Sequence, residues 1–124
     1  NESLNVLGIA SNTDDKYTNR KYNILLRAIV IGLGKHLYNS DVVISNAISP
    51  ISVWIMLKYF NAETSRRFNL FMKNHHPITM NAIETYLNKY GMEDCKVSLT
   101  DENIENAWGV FHTLLDKDSK LKCP

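Results

Sequence analysis

The chain has 124 residues, with 14 Lys and Arg against 13 Asp and Glu, a net charge of +1 and a mean hydropathy of −0.24. Hydrophobic residues make up 44% and charged residues 22%, which excludes a disordered, collagen-like or low-complexity chain. A charge near zero gives no electrostatic footprint for nucleic acid and no field to steer an anionic substrate, and a chain of this size forms one core.

Residues 1–21 are polar, Asn12-Thr13-Asp14-Asp15 suggests a turn, and weak order is expected there, with a single compact domain over 22–124. The opening Asn1-Glu2-Ser3 fits a glycosylation acceptor at a frayed end; it lacks a charged-then-apolar leader, and a processed or trimmed chain is expected. Tyr22, Leu25, Leu26, Ile29, Leu33 and Leu37 then recur at helical spacing and predict a helix to about Leu37. Its apolar run, 24–33, is too short for a membrane span and carries Arg27, so it predicts a buried helix. Val42-Val43-Ile44 predicts a short buried strand.

Ser49-Pro50 starts a second helix: the Ser hydroxyl accepts an orphan N–H, and Pro has no N–H to lose. Val53, Met56, Leu57 and Phe60 share its inner face. A third helix is predicted over 64–73 with Phe68, Phe71 and Met72 inward, broken by His75-His76-Pro77. Thr79 caps a fourth, carrying Ile83, Tyr86, Leu87 and Tyr90 and stopped by Gly91. The expected core is Leu25, Ile29, Leu33, Val53, Leu57, Phe60, Phe68, Phe71, Ile83 and Leu87. Residues 95–99 alternate weakly, as a strand does. Residues 104–115 read both ways. As a helix capped by Thr100 they stack Ile104, Ala107, Trp108, Phe111, Leu114 and Leu115; as a strand they gain from Trp, Val, Phe and Thr and avoid the ~1 kcal/mol that Gly109 costs a helix.

Motifs that carry chemistry are incomplete. Gly32-Leu33-Gly34-Lys35 lacks the earlier glycine of a phosphate loop, where Ile29 stands, and the Ser or Thr after Lys, where His36 stands. Adjacent His75 and His76 point apart on a helix and have no acidic or Cys partner at zinc-like spacing. Glu102 and Glu105 read as a solvated face, His112 as a hydrogen-bonded core histidine, and Arg66, Arg67 and Lys73 as a basic patch too small for nucleic acid. Cys95 and Cys123 read as two free thiols with Cys95 partly buried; a bridge between them needs oxidising surroundings and suitable geometry. No enzyme, cofactor or metal site is expected.

Three segments stand in a telling order. Asp41-Val42-Val43-Ile44-Ser45 leads into Ser49-Pro50-Ile51-Ser52-Val53; Asn61-Ala62-Glu63-Thr64 precedes the third helix; and Ile104-Glu105-Asn106-Ala107-Trp108-Gly109-Val110-Phe111 precedes the lysine-rich stretch 116–122. From Tyr22 to Lys122 this order resembles the N-terminal region of a serpin. Asn46-Ala47-Ile48 look inserted, and the turn after the second helix lacks the family's two glycines. The resemblance implies an α+β, predominantly helical fold with a few strands. It also implies kinship with inhibitors of serine and cysteine proteases. The family's reactive loop comes later in the chain than these residues, so a non-inhibitory protein or fragment is expected. Ser49, Pro50, Ser52, Asn106, Ala107 and Phe111 would be structural residues of that fold and none of them catalytic.

The alternative is an all-α helical bundle acting as a small protein-interaction module, such as a viral or secreted binding or immunomodulatory protein, with Trp54, Tyr59 and Trp108 as partner-binding anchors. Both readings expect a protein partner: a protease, the remaining part of a serpin fold, or another host protein. Neither expects nucleic acid or a membrane. A secreted or extracellular site is expected, with the cytoplasm as the alternative. Residues 104–115 decide between the folds, and the resemblance favours a strand. A strand cut from its sheet leaves an open edge, so an oligomer is the corollary.

Overall fold

The computed structural model describes the backbone of residues 2–6, 16–75 and 77–122 and the side chains of residues 20–75 and 77–116. The chain runs β1 (Glu2–Val6), α1 (Lys16–Tyr38), β2 (Ser40–Ala47), α2 (Pro50–Phe60), α3 (Arg66–Met72), α4 (Met80–Tyr90), β3 (Glu93–Ser98) and α5 (Asp101–Lys122). The fold is α+β and predominantly helical. β1 lies parallel to β2, with α1 as the crossover, and β2 pairs antiparallel with β3. Order therefore begins before Tyr22, where polarity alone suggested little. Cys123 and the turn at residues 12–15 lie outside the described residues.

Val43, Ser45 and Ala47 oppose Val97, Cys95 and Glu93 on one face of the sheet, and all six are buried. That face and the helices enclose the core: Ile24, Ala28 and Ile31 from α1, Val53, Ile55, Met56 and Phe60 from α2, Phe68 from α3, Ile83 and Tyr86 from α4, and Ala107 from α5. Of the expected core, Leu25, Val53, Phe60, Phe68, Ile83 and Leu87 are buried, while Ile29, Leu33, Leu57 and Phe71 are half-buried. The apolar stripe on α1 is corrected by about one residue. Its buried side runs Ile24, Arg27, Ala28, Ile31 and Gly32, leaving Tyr22, Leu26 and Leu37 exposed. A helix turns about 100° per residue, so this one-step shift turns a different side inward.

The expected strand at 104–115 is a correction too: the segment is continuous α5. Thr100 caps it, accepting the Asn103 N–H at 3.2 Å, and Asp101 and Glu102 complement the dipole in its first turn. Ala107 is fully buried beneath it, and Ile104, Phe111 and Leu114 pack on the core. Burial of this stripe outweighs the penalty at Gly109, which sits on the exposed side. His112, expected in the core, is exposed, because it lies on the outer face of the same helix.

The two helical glycines have opposite roles. α1 and α5 pack with the Trp108 indole lying on Gly32; a Cβ there would come within 2.5 Å of the ring. Around Gly109 nothing lies within 4 Å. Gly32→Ala is expected to destabilise the fold by ~1–3 kcal/mol through overpacking, and Gly109→Ala to stabilise it by ~0.5–1 kcal/mol through helix propensity. Thermal melts of the two variants read this difference in sign; equal shifts would show that α1 and α5 do not meet at Trp108.

Candidate functional site

The Ser49-Pro50-Ile51-Ser52 motif performs local structural work. Ser49 is extended and its hydroxyl accepts the Ser52 N–H at 3.3 Å, with Pro50 in the first helical position. The Ser49 hydroxyl also donates to Ser52 Oγ at 2.9 Å. Ser52 in turn accepts from Arg27 Nη2 at 3.2 Å, while Arg27 Nη1 donates to Ser45 Oγ at 2.8 Å. One guanidinium thus ties α1 to β2 and to the start of α2.

A concave surface lies where the end of α2 meets α5. Tyr59 forms one wall, and Asn106, Gly109, Val110, Thr113 and Leu114 form the other, around a groove of about 380 Å³. The helices are fixed there by Asn106 Nδ2, which donates to the Tyr59 carbonyl at 2.9 Å. The absent side chain at Gly109 deepens the groove. Beside it, the Trp54 and Tyr59 rings meet edge to face at 6.0 Å. Lys58 Nζ stands 4.4 Å from the Trp54 ring centre and 5.7 Å from that of Tyr59, and the Arg20 guanidinium lies 5.8 Å from Trp54. The surface combines an apolar slot with two half-buried aromatic rings and two cations at its edge.

Of the expected anchors, the structure brings Trp54 and Tyr59 together and separates Trp108. On α5, Trp108 is two residues from Asn106, about 200° round the helix, and lies against α1 and edge-on to Phe111. Phe111 is half-buried and Ala107 is core, so of the candidate structural and anchor residues on α5 (Asn106, Ala107, Trp108 and Phe111) only Asn106 lines the groove. Gly109, Val110, Thr113 and Leu114 were not foreseen as groove residues; they share a side of the helix that exists only once 104–115 is helical. Lys58 was legible, since Trp54 and Lys58 stand four apart on a helix that starts at Pro50.

The remaining polar clusters are closed or solvated. Glu93 is 1% exposed, and its carboxylate accepts from Ser65 Oγ at 2.8 Å, from Tyr86 OH at 2.8 Å and from the Ser65 N–H. Arg67 Nε donates to Tyr86 OH at 3.0 Å, and burial pushes the Tyr86 phenol above its ordinary pKa. This network closes the core where α3, α4 and β3 meet, out of reach of a substrate. Glu102 and Glu105 are exposed. The His75 ring stacks on Phe71 at 4.6 Å, beside an open hollow of about 340 Å³ whose lining includes Asn74, Thr79, Asn81 and Thr85. Among the described residues, no group of three His, Cys, Asp or Glu side chains is placed to hold a metal ion, and no helix is long and apolar enough to cross a membrane.

The chain matches no family model, no curated protein and no solved structure.

Proposed function

We propose that this protein is a non-enzymatic protein-interaction module that takes an apolar side chain of a partner into the groove between α2 and α5. The observation that carries this is the groove itself, open beside Gly109 and flanked by half-buried Tyr59 and Trp54. Aromatic rings next to a small concavity supply anchoring area at little entropic cost, as binding hot spots do. Lys58 and Arg20 favour a partner segment with acidic residues beside its apolar anchor.

The test is selection of peptides from a random display library on the immobilised protein. The expected result is a set sharing a Leu, Ile or aromatic anchor with neighbouring Asp or Glu. Gly109→Leu fills the groove from an open position and leaves the core untouched, so it is expected to weaken those peptides at least ~10-fold without lowering Tm. Peptides that bind this variant and the parent equally would overturn the reading.

Kinship with the serpins, which called for a strand over 104–115 where the chain is helical, is a second reading that rests only on the order of the earlier elements. α1, β2 and the Ser49-Pro50 start of α2 follow one another as that resemblance requires, whereas helical α5 departs from it. It carries the same expectation of a protein partner.

A further inference from the structure

Arg67 is exposed on α3, yet its guanidinium is held in place by two contacts. Its Nε donates to Tyr86 OH at 3.0 Å, and its central carbon lies 4.4 Å from the centre of the Tyr90 ring. Tyr86 is fully buried and gives its own proton to Glu93, so its oxygen turns a lone pair to Arg67. The two Nη groups, at the other end of the fork, have no partner among the described residues. An exposed arginine normally gives up rotamer freedom when it takes a ligand; Tyr86 and Tyr90 have already fixed this one.

More cations stand round it. Arg66 is adjacent, Lys89 Nζ lies 5.3 Å from the centre of the same Tyr90 ring, and Lys73 follows Arg66 and Leu70 along one side of the helix. All four cations are exposed, and none forms an ion pair among the described residues. Residues 66–90 hold these four and a single acid, Glu84, in a chain otherwise near neutrality. Glu84 stands six positions before Tyr90, about 120° round α4 from it. Leu70, 48% exposed, lies between Arg66 and Lys73. We propose that this surface docks an acidic segment of a protein partner: the two Nη groups of Arg67 take one carboxylate side by side, and Arg66, Lys73 and Lys89 draw its neighbours. A nucleic acid fits less well. Four cations meet few phosphates, and the Tyr90 ring that a base would stack on already carries Arg67 and Lys89. None of these residues lines the α2–α5 groove, so the two surfaces are tested separately.

Fluorescence anisotropy with labelled hexaglutamate is the test, run at low salt so that weak binding is measurable. Arg67→Lys keeps the charge and loses the fork, so it is expected to raise Kd at least ~10-fold. Tyr86→Phe removes the fixing bond and leaves every cation in place, and a rise of ~3-fold is expected. Lys73→Gln, which removes one exposed charge among four, is expected to cost ~2-fold. No binding by the parent would overturn the proposal. So would equal binding by the parent and Arg67→Lys, which would mean attraction to charge alone. A loss in Lys58→Gln as large as in Arg67→Lys would place the peptide beside Trp54 and overturn it as well. Tighter binding of a hexathymidylate at the same salt would do the same, by showing a surface for nucleic acid.

Discussion

Glu93→Ala is expected to lower the stability of the fold by ~3–5 kcal/mol, measured by urea denaturation. Three donors converge on this carboxylate: the Ser65 N–H, the Ser65 hydroxyl and the Tyr86 hydroxyl. Removing the acceptor leaves the buried Tyr86 hydroxyl and the half-buried Ser65 donors without it, and an unsatisfied buried donor costs ~1–3 kcal/mol. The loss spreads to secondary structure. Ser65 also caps α3, accepting the Phe68 N–H at 3.1 Å, and Phe68 packs edge to face on Tyr86 at 4.9 Å. Tyr86 keeps one partner, since Arg67 still reaches its oxygen. Glu93→Gln retains the shape and one good acceptor, so it is expected to lose about half as much, and Tyr86→Phe only ~1–2 kcal/mol. If Glu93→Ala stayed within ~0.5 kcal/mol of the parent, the junction of α3, α4 and β3 would not depend on this carboxylate.

How far the sequence revealed this fold depends on the range of the deciding interaction. α4 was legible at both ends, and α2 at its start, because the signals are local: Ser49-Pro50 and Thr79 bond to an N–H three residues on, and Gly91 takes the left-handed region at φ 87°. Asn61 does the same at φ 58°, in the turn where glycine was missed. The face of α1 was misplaced because Arg27 reads as an interruption in isolation. It belongs inside once Ser45 and Ser52, far along the chain, take its hydrogen bonds. For residues 104–115, local β preference and helical periodicity were nearly balanced. What settles them is tertiary: Ala107 in the core, Trp108 on Gly32 and Asn106 on the Tyr59 carbonyl. The groove followed the same rule. Trp54 and Tyr59 were visible as anchors, but their neighbours on α5 share a face only in a helix.

The fold is also expected to weaken on the alkaline side, through Cys95. Burial pushes its thiol from 9.0 up to about 12, against the smaller pull of Arg27 in the other direction. An acid whose pKa is raised by folding keeps its proton in the native state while the unfolded chain gives it up. Between pH 9 and 12 the unfolded state therefore binds fewer protons, and stability falls as pH rises. Three pH units correspond to ~4 kcal/mol if the whole window is crossed. Tyr86 acts in the same sense above pH 10, its phenol being raised mainly by burial. The two separate by onset: Cys95→Ala removes the loss that begins near pH 9 and leaves the part that begins near pH 10. Since that variant also opens a small cavity at a fully buried position, the slope of unfolding free energy against pH is the informative quantity, not its value at neutral pH. Urea titrations at pH 8, 9 and 10 measure it. Parallel curves for parent and Cys95→Ala would mean that the thiol ionises as freely in the folded chain as in the unfolded one, and that water reaches the sheet face where Cys95 stands opposite Ser45.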